Sequence, residues 1–258
     1  VIESGVWWGM STWIISEALP PNGKIVSLDP TDVKQYRAKS TRPDVTQIFL
    51  TGPKHFRDYG QLPDYIFYEG TTEEDHSTVG KRRYGSDEMV SFLDDHQAAN
   101  KRTWQGLYLY NMKHFIFEDN YPLNMGDNYS FNHILHKHWL RDDVGSAQTG
   151  RVGSRNDALA SIHYRDDFGR KQSTIRWDEH LAQFYFWRSM TQTVQFMPLL
   201  NYKSKREGYE DNHAELAEVT PVFTDEEFKS KYPDLFELPS QHNFICYVKI
   251  KDGINSRV

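Results

Sequence analysis

Apolar residues in this chain gather in short unbroken runs, and the clearest of these runs end on acids. Val1-Ile2 leads into Glu3, and Lys24-Ile25-Val26-Ser27-Leu28 leads into Asp29. Met89-Val90-Ser91-Phe92-Leu93 leads into Asp94-Asp95-His96-Gln97, and His114-Phe115-Ile116-Phe117 into Glu118-Asp119-Asn120-Tyr121-Pro122. Continuous apolar runs of this length, bounded by turn residues, read as parallel strands buried on both faces. Helix-length segments separate them, so the pattern predicts an α/β fold with a mostly parallel central sheet and helices on both faces.

The segment from Val1 to Asp29 reads as one βαβ unit. A glycine turn from Gly5 to Gly9 follows the first strand, where missing Cβ atoms let a ligand approach the backbone amides. Ser11 and Thr12 are expected to cap the next helix, which carries Trp13, Ile14, Ile15, Ala18 and Leu19 on its inner side. Pro20-Pro21-Asn22-Gly23 stops it before the second strand. Asp29 stands at that strand's carboxyl end, roughly 20 residues beyond the glycine turn, where a ribose diol is usually held. Such a unit is the commonest scaffold for an adenosine-bearing cofactor; the plainer alternative is an α/β turn that happens to end on an acid.

The two later acidic strand ends are separated by one helix length, which makes their strands neighbours. Open α/β sheets place their ligand crevice at the strands' carboxyl ends. Carboxylates converging there repel one another unless a cation neutralises them, which suggests a hard ion such as Mg²⁺. The competing expectation is that Asp94 and Glu118 cap helices or pair with Arg102 and Lys101. His96 titrates near neutral pH beside these acids and is the candidate general base, with Asp95 and His114 as rivals.

Beyond Pro122 the pattern weakens. Gly126 to Ser130 reads as a turn into a helix with Ile134, Leu135 and Trp139, whose His133, His136 and His138 read as solvated rather than as a second metal site. Residues 142–170 are polar and glycine-containing, and a lid or insertion is expected around 142–180. Trp177 to Leu200 reads as mostly helical, Thr224 to Glu227 as a capping box, and Asn243 to Ile250 as the last strand of the sheet. No linker is evident, so residues 1–258 are read as a single domain. Val1 is already inside the first strand, which implies a missing upstream segment.

Composition narrows the class. A single Cys246 excludes an intrachain disulfide framework, no apolar run has the length of a membrane span, and the whole fits a cytoplasmic enzyme. The formal charge of −6 offers no basic field for nucleic acid, with Lys81-Arg82-Arg83 read as a solvated loop. Aromatic residues make up 14 % of the chain, enough for some to stack on sugar faces.

The string Glu3-x-Gly5-x-x-x-Gly9, followed by a strand ending in Asp29, resembles motif I and the ribose-binding acid of class I S-adenosylmethionine-dependent methyltransferases. A third glycine is missing, which disfavours a dinucleotide. The resemblance implies a Rossmann-like methyltransferase fold with Glu3, Gly5, Gly9, Ser11 and Asp29 at the cofactor. The Asp94-Asp95-His96 and Glu118-Asp119-Asn120-Tyr121-Pro122 strings are similar to the metal site of sugar O-methyltransferases of the cephalosporin-hydroxylase-like and macrocin-like kind. This implies Mg²⁺ or Mn²⁺ on Asp94 or its neighbour Asp95, Glu118 and Asp119, with a sugar or glycan hydroxyl as methyl acceptor. His96 or Asp95 would remove its proton. The chain is also similar to methyltransferase domains attached to glycosyltransferases in large algal viruses, implying fusion to or association with a glycosyltransferase domain. Competing expectations are a methyltransferase-like module without turnover, a small phenolic acceptor, and a nucleotide-sugar or NAD-linked enzyme.

Overall fold

The computed structural model describes residues 1–6, 9–31, 42–68, 84–120, 128–136, 161–165, 172–195, 224–231 and 245–253. In chain order the elements are β1 (Ile2–Ser4), α1 (Met10–Ala18), β2 (Lys24–Asp29), β3 (Thr46–Thr51), α2 (Pro53–Arg57), β4 (Val90–Leu93), α3 (Ala99–Tyr110) and β5 (His114–Phe117). They continue as α4 (Phe131–Leu135), β6 (Ser161–Arg165), β7 (Gln172–Arg176), α5 (Trp177–Met190), β8 (Thr191–Gln195), α6 (Asp225–Lys231) and β9 (Cys246–Ile250). A seven-stranded sheet runs in the order β3-β2-β1-β4-β5-β9-β8, mixed but mostly parallel, which gives the α/β class expected. β4 and β5 are neighbours, as the acidic strand ends required. The chain winds outward from β1 through β2 to β3, then returns to β1's other edge as β4. This reversal is the topological switch point beside which open α/β sheets hold their ligands.

The chain groups into two compact units. The first comprises Val1–Asp95, Lys101–Ile116 and Lys249–Val258. In it β1 pairs in parallel with β2 and β4, so that Glu3 lies opposite Ser27 and Phe92, and Ser4 opposite Leu28 and Leu93. β1 and β2 are buried along their whole lengths, whereas β4 and β5 alternate buried and half-buried positions rather than being fully covered. Ile25, Leu28, Leu93, Leu107 and Phe115 form the core around them. Along α3, Arg102, Thr103, Gly106 and Leu107 are buried at helical spacing. Gly106 is needed there, because a Cβ would lie 2.6 Å from the Phe115 ring.

α1 departs from its expected orientation. Trp13 and Ile14 are 38 % and 53 % exposed and Ala18 is exposed, while Thr12 and Ser16 are fully buried. The helix is turned by polar bonds from its first turn to β1 rather than by its largest apolar side chains.

The second unit comprises His96–Asn100 and Phe117–Val248. Its described core packs Phe117 at a tilt against Phe131, ring centres 5.2 Å apart, and Phe131 edge-on against Trp187 at 5.9 Å, joining α4 to α5. α5 ends earlier than expected. Thr191 donates its hydroxyl to the Trp187 carbonyl at 2.6 Å, and the β-branched run after it forms β8. β6 and β7 pair antiparallel, giving a hairpin inside the stretch read as a lid. Residues 137–160 and 166–171, including Trp139, His138 and the rest of that stretch, lie outside the described residues, as do Lys81-Arg82-Arg83. The capping box is present, with Thr224 and Glu227 bonded reciprocally at the start of α6. Among the described residues no helix is long and apolar enough to cross a membrane.

Candidate functional site

The turn after β1 is organised by Glu3. One carboxylate oxygen accepts the Ser11 hydroxyl and the other accepts the Thr12 hydroxyl, each at 2.7 Å. Both donors lie inside the first turn of α1, so they tie the helix to the strand instead of capping it. The N-cap is Gly9, in the left-handed conformation at φ 79° and with no side-chain cap. Burial raises the Glu3 pKa above its ordinary value, opposed by the hydroxyls of Ser27, Ser11 and Thr12.

Gly5 has φ +91°, and a Cβ there would come within 1.7 Å of the Asp94 carbonyl oxygen. Its missing side chain therefore lets the ends of β1 and β4 approach each other, which corrects the expectation that the space is left for a ligand. Gly5 N–H donates to the Leu28 carbonyl at 2.9 Å, and Gly9 N–H to the Val6 carbonyl at 2.7 Å. Asp29 closes the other side: one carboxylate oxygen accepts the Val6 N–H at 3.2 Å, and the other accepts the Thr31 N–H at 2.9 Å and hydroxyl at 2.8 Å. Glu3, Gly5, Gly9, Ser11 and Asp29 are thus brought into one backbone-lined turn at the switch point.

The next residues divide their work. Asp94 N–H donates to the Ser4 carbonyl at 2.8 Å, continuing the β1–β4 pairing. Asp95 points into the core, where one carboxylate oxygen accepts the Ser4 hydroxyl and Arg102 Nε, each at 2.7 Å. Arg102 is fully buried; it also donates to the Phe56 carbonyl and, at 3.1 Å, to Gln105 Oε1. Its guanidinium lies 4.6 Å from the centre of the Tyr59 ring. Tyr59 in turn bonds Ser91 at 3.0 Å, and burial pushes its phenol up to about 12. The partner of Arg102 is therefore Asp95 rather than Asp94 or Glu118.

In the second unit, His96 sits at φ +52°, uncommon for a residue with a side chain, and its N–H donates to Asp119 Oδ2 at 3.0 Å. Its Nδ1 lies 3.8 Å from the same oxygen. Asparagines hold the backbone around Asp119. Asn128 Nδ2 donates to the Asp119 carbonyl at 3.2 Å, while Asn132 donates its N–H to Asn120 Oδ1 at 3.0 Å and its Nδ2 to the Asn120 carbonyl at 2.9 Å. His133 is buried and completes a capping box with Ser130, correcting its reading as a solvated helix histidine. Tyr129 lies 2.7 Å from His180 Nδ1, and His180 Nε2 lies 3.1 Å from the His136 carbonyl. A carbonyl only accepts, so Nε2 carries the proton and Nδ1 accepts from the phenol. Burial lowers the His180 pKa and keeps that ring neutral.

Asp94, His96 and Asp119 each offer one ligand atom, and these atoms lie within 4.8 Å of one another. Two carboxylates and an imidazole suit a divalent cation, and the imidazole favours Mn²⁺ and its transition-metal neighbours over Mg²⁺. Glu118, expected as a ligand, is buried but stands outside this set. Asp95 is held by Arg102 and Ser4, and His114 opens β5 at the end opposite the acids, 3.8 Å from Asp87. Nothing in the apolar pattern singles out Ser4, and Thr12 and Arg102 stand out in it only as a helix cap and an alternative ion-pair partner. The visible signal for Arg102 was a cation on the inward stripe of an otherwise apolar helix face, which buries a charge only beside an opposite one.

No family model matches this chain, and neither a curated protein nor a solved structure matches it.

Proposed function

We propose that this chain is a class I S-adenosylmethionine-dependent O-methyltransferase, Rossmann-like with helices on both faces, that uses a divalent cation and methylates a hydroxyl of a sugar or glycan. The observation that carries the reading is the turn at the switch point: a glycine-bearing loop and helix start fastened to β1 by Glu3, facing an acid at the end of β2. The resemblance of the Glu3 to Gly9 string and of Asp29 to the methyltransferase motifs supports it from the sequence of the same residues. The cofactor would supply an electrophilic methyl group, and the cation would lower the pKa of an acceptor hydroxyl.

The chain's own residues have distinct tasks in this reading. Glu3 fixes the start of α1 through Ser11 and Thr12, so the amides of the turn stay oriented toward the cofactor. Asp29 holds the Val6 and Thr31 backbone and presents a carboxylate to the ribose. Asp94, His96 and Asp119 would hold the cation. An imidazole that gives its lone pair to a metal cannot also accept a proton, so His96 acts here as a ligand and not as the base. The sugar acceptor follows from the resemblance of the two acidic strand ends, work beside a glycosyltransferase domain from the likeness to viral methyltransferase domains, and a cytoplasmic location from the composition.

A second reading is a methyltransferase-like module without turnover. The consumption of both Glu3 oxygens, both Asp29 oxygens and Asp95 in internal bonds favours it. Calorimetric titration of S-adenosylmethionine and S-adenosylhomocysteine, with and without Mg²⁺ or Mn²⁺, separates the two. Saturable binding that Asp29→Ala abolishes, followed by metal-dependent methyl transfer to a sugar, supports the enzyme. Absence of cofactor binding by the folded protein overturns the enzyme and leaves the second reading, as does binding without transfer.

A further inference from the structure

We infer that Arg102 is a positioning residue, which acts through Asp95 to present Asp94 and His96 to the cation; this rests on the metal-dependent reading above. In the run Asp94-Asp95-His96 only the middle residue is buried, and its neighbours on either side are half-buried. Burial alternates residue by residue from Ser91 to Gln97, so Asp95 turns inward where Asp94 and His96 do not. Anchoring the middle one inward therefore decides where the outer two point.

The anchor has the geometry of a fixed support. Arg102 Nη2 lies 2.6 Å from Asp95 Oδ2, with Nε bonded to the same oxygen at 2.7 Å. The guanidinium is itself held by the Phe56 carbonyl, by Gln105 and by the faces of Tyr59 and Phe56. A planar fork gripped at this many points has one orientation, which a lysine would not reproduce. Ser4 joins the anchor to the strand, accepting the Asp94 N–H on its carbonyl while donating its hydroxyl to Asp95. Immediately after Asp95 the backbone turns into the left-handed region at His96, a conformation that persists only where its surroundings impose it. Removing the anchor leaves Asp94 and His96 in place in sequence but not in direction.

The test measures two affinities in the same folded variants, Mn²⁺ by electron paramagnetic resonance and S-adenosylhomocysteine by calorimetry. Asp95→Asn and Arg102→Met are each expected to weaken Mn²⁺ roughly tenfold to a hundredfold, the range for residues that orient metal ligands, with cofactor affinity changed by less than about twofold. Arg102→Lys is expected to recover only part of the loss. Unchanged Mn²⁺ affinity in a folded variant, or equal loss of both affinities, overturns the inference and leaves the pair a role in the fold alone. If these variants do not fold, Ser4→Ala removes the hydroxyl that donates to Asp95 and accepts from Arg102 Nη2 at 3.5 Å; weaker Mn²⁺ binding supports the inference, and unchanged binding overturns it. A wild-type protein that binds no Mn²⁺ overturns the metal reading itself, and the positioning role with it.

Discussion

The backbone of Gly5 approaches the Asp94 carbonyl so closely that a Cβ would lie 1.7 Å from its oxygen. The two residues immediately follow β1 and β4, the strands on either side of the switch point, and the obstacle is backbone that cannot swing aside. Gly5→Ala is expected to destabilise the protein by about 2–6 kcal/mol, combining left-handed strain and overpacking of roughly 1–3 kcal/mol each. Gly253 provides the control: its φ is +86° but nothing lies within 4 Å of a Cβ. Gly253→Ala should lose only about 1–2 kcal/mol, from backbone strain alone. Urea midpoints of the two variants measure the difference, and equal losses would show that the Asp94 contact is unimportant.

Glu3 makes stability depend on pH in a predictable direction. Its folded pKa is raised above 4.5 by burial, so between that value and the folded pKa the native state holds a proton that the unfolded chain has released. Stability then falls as pH rises through that window, the reverse of the usual carboxylate. In Glu3→Gln the proton is no longer at issue, and the hydroxyls of Ser11 and Thr12 can rotate to suit the amide. Urea midpoints from about pH 5 to about pH 8 should therefore decline more steeply for the wild type than for the variant. Parallel curves would mean that Glu3 does not titrate in this range.

Much of this arrangement was legible in the sequence because the strands are unbroken apolar runs, covered throughout in β1 and β2 and at every second residue in β4 and β5. The acids after Leu28, Leu93 and Phe117 fell at strand ends for the same reason. What the pattern hid was polar control of orientation. Trp13 and Ile14 looked like the inner face of α1, yet the hydroxyl bonds to Glu3 turn Thr12 inward instead. The strand β8 was lost because Thr191 follows α5 with no glycine or proline between them. Asp94 and Asp95 could not be told apart by spacing, since adjacent residues compete for the same partners. The choice depends on Arg102, which reaches Asp95 from an inward position of α3.

The Asp95–Arg102 pair is fully desolvated, with side-chain exposures of 3 % and 0 %, and this sets its response to mutation. Removing one partner strands the other charge in the core. Arg102→Met or Asp95→Asn alone should lose about 3–5 kcal/mol, most of it the penalty of the unpaired group. The double variant removes both charges and should lose clearly less than the sum of the singles. A double-mutant cycle by urea unfolding reads the coupling directly, with roughly 0.5–3 kcal/mol expected for groups in one network. Simple additivity would contradict the observed contact.

His96 offers the sharpest separation between a ligand and a base. Its imidazole belongs to the set with Asp94 and Asp119, and its backbone N–H is already committed to the Asp119 carboxylate. If the ring holds the cation, His96→Ala removes one of three protein ligands while sparing the backbone bond, and Mn²⁺ affinity should fall by about tenfold or more. Asp119→Asn should weaken Mn²⁺ as well, and S-adenosylhomocysteine binding should survive both changes because the turn around Glu3 and Asp29 is untouched. A base would behave differently. Mn²⁺ affinity would then stay at the wild-type value, and methyl transfer would fall by about 10²–10⁴-fold with loss of the acid limb of its pH profile. Metal titration of His96→Ala, run before any acceptor is known, therefore decides which role the imidazole has.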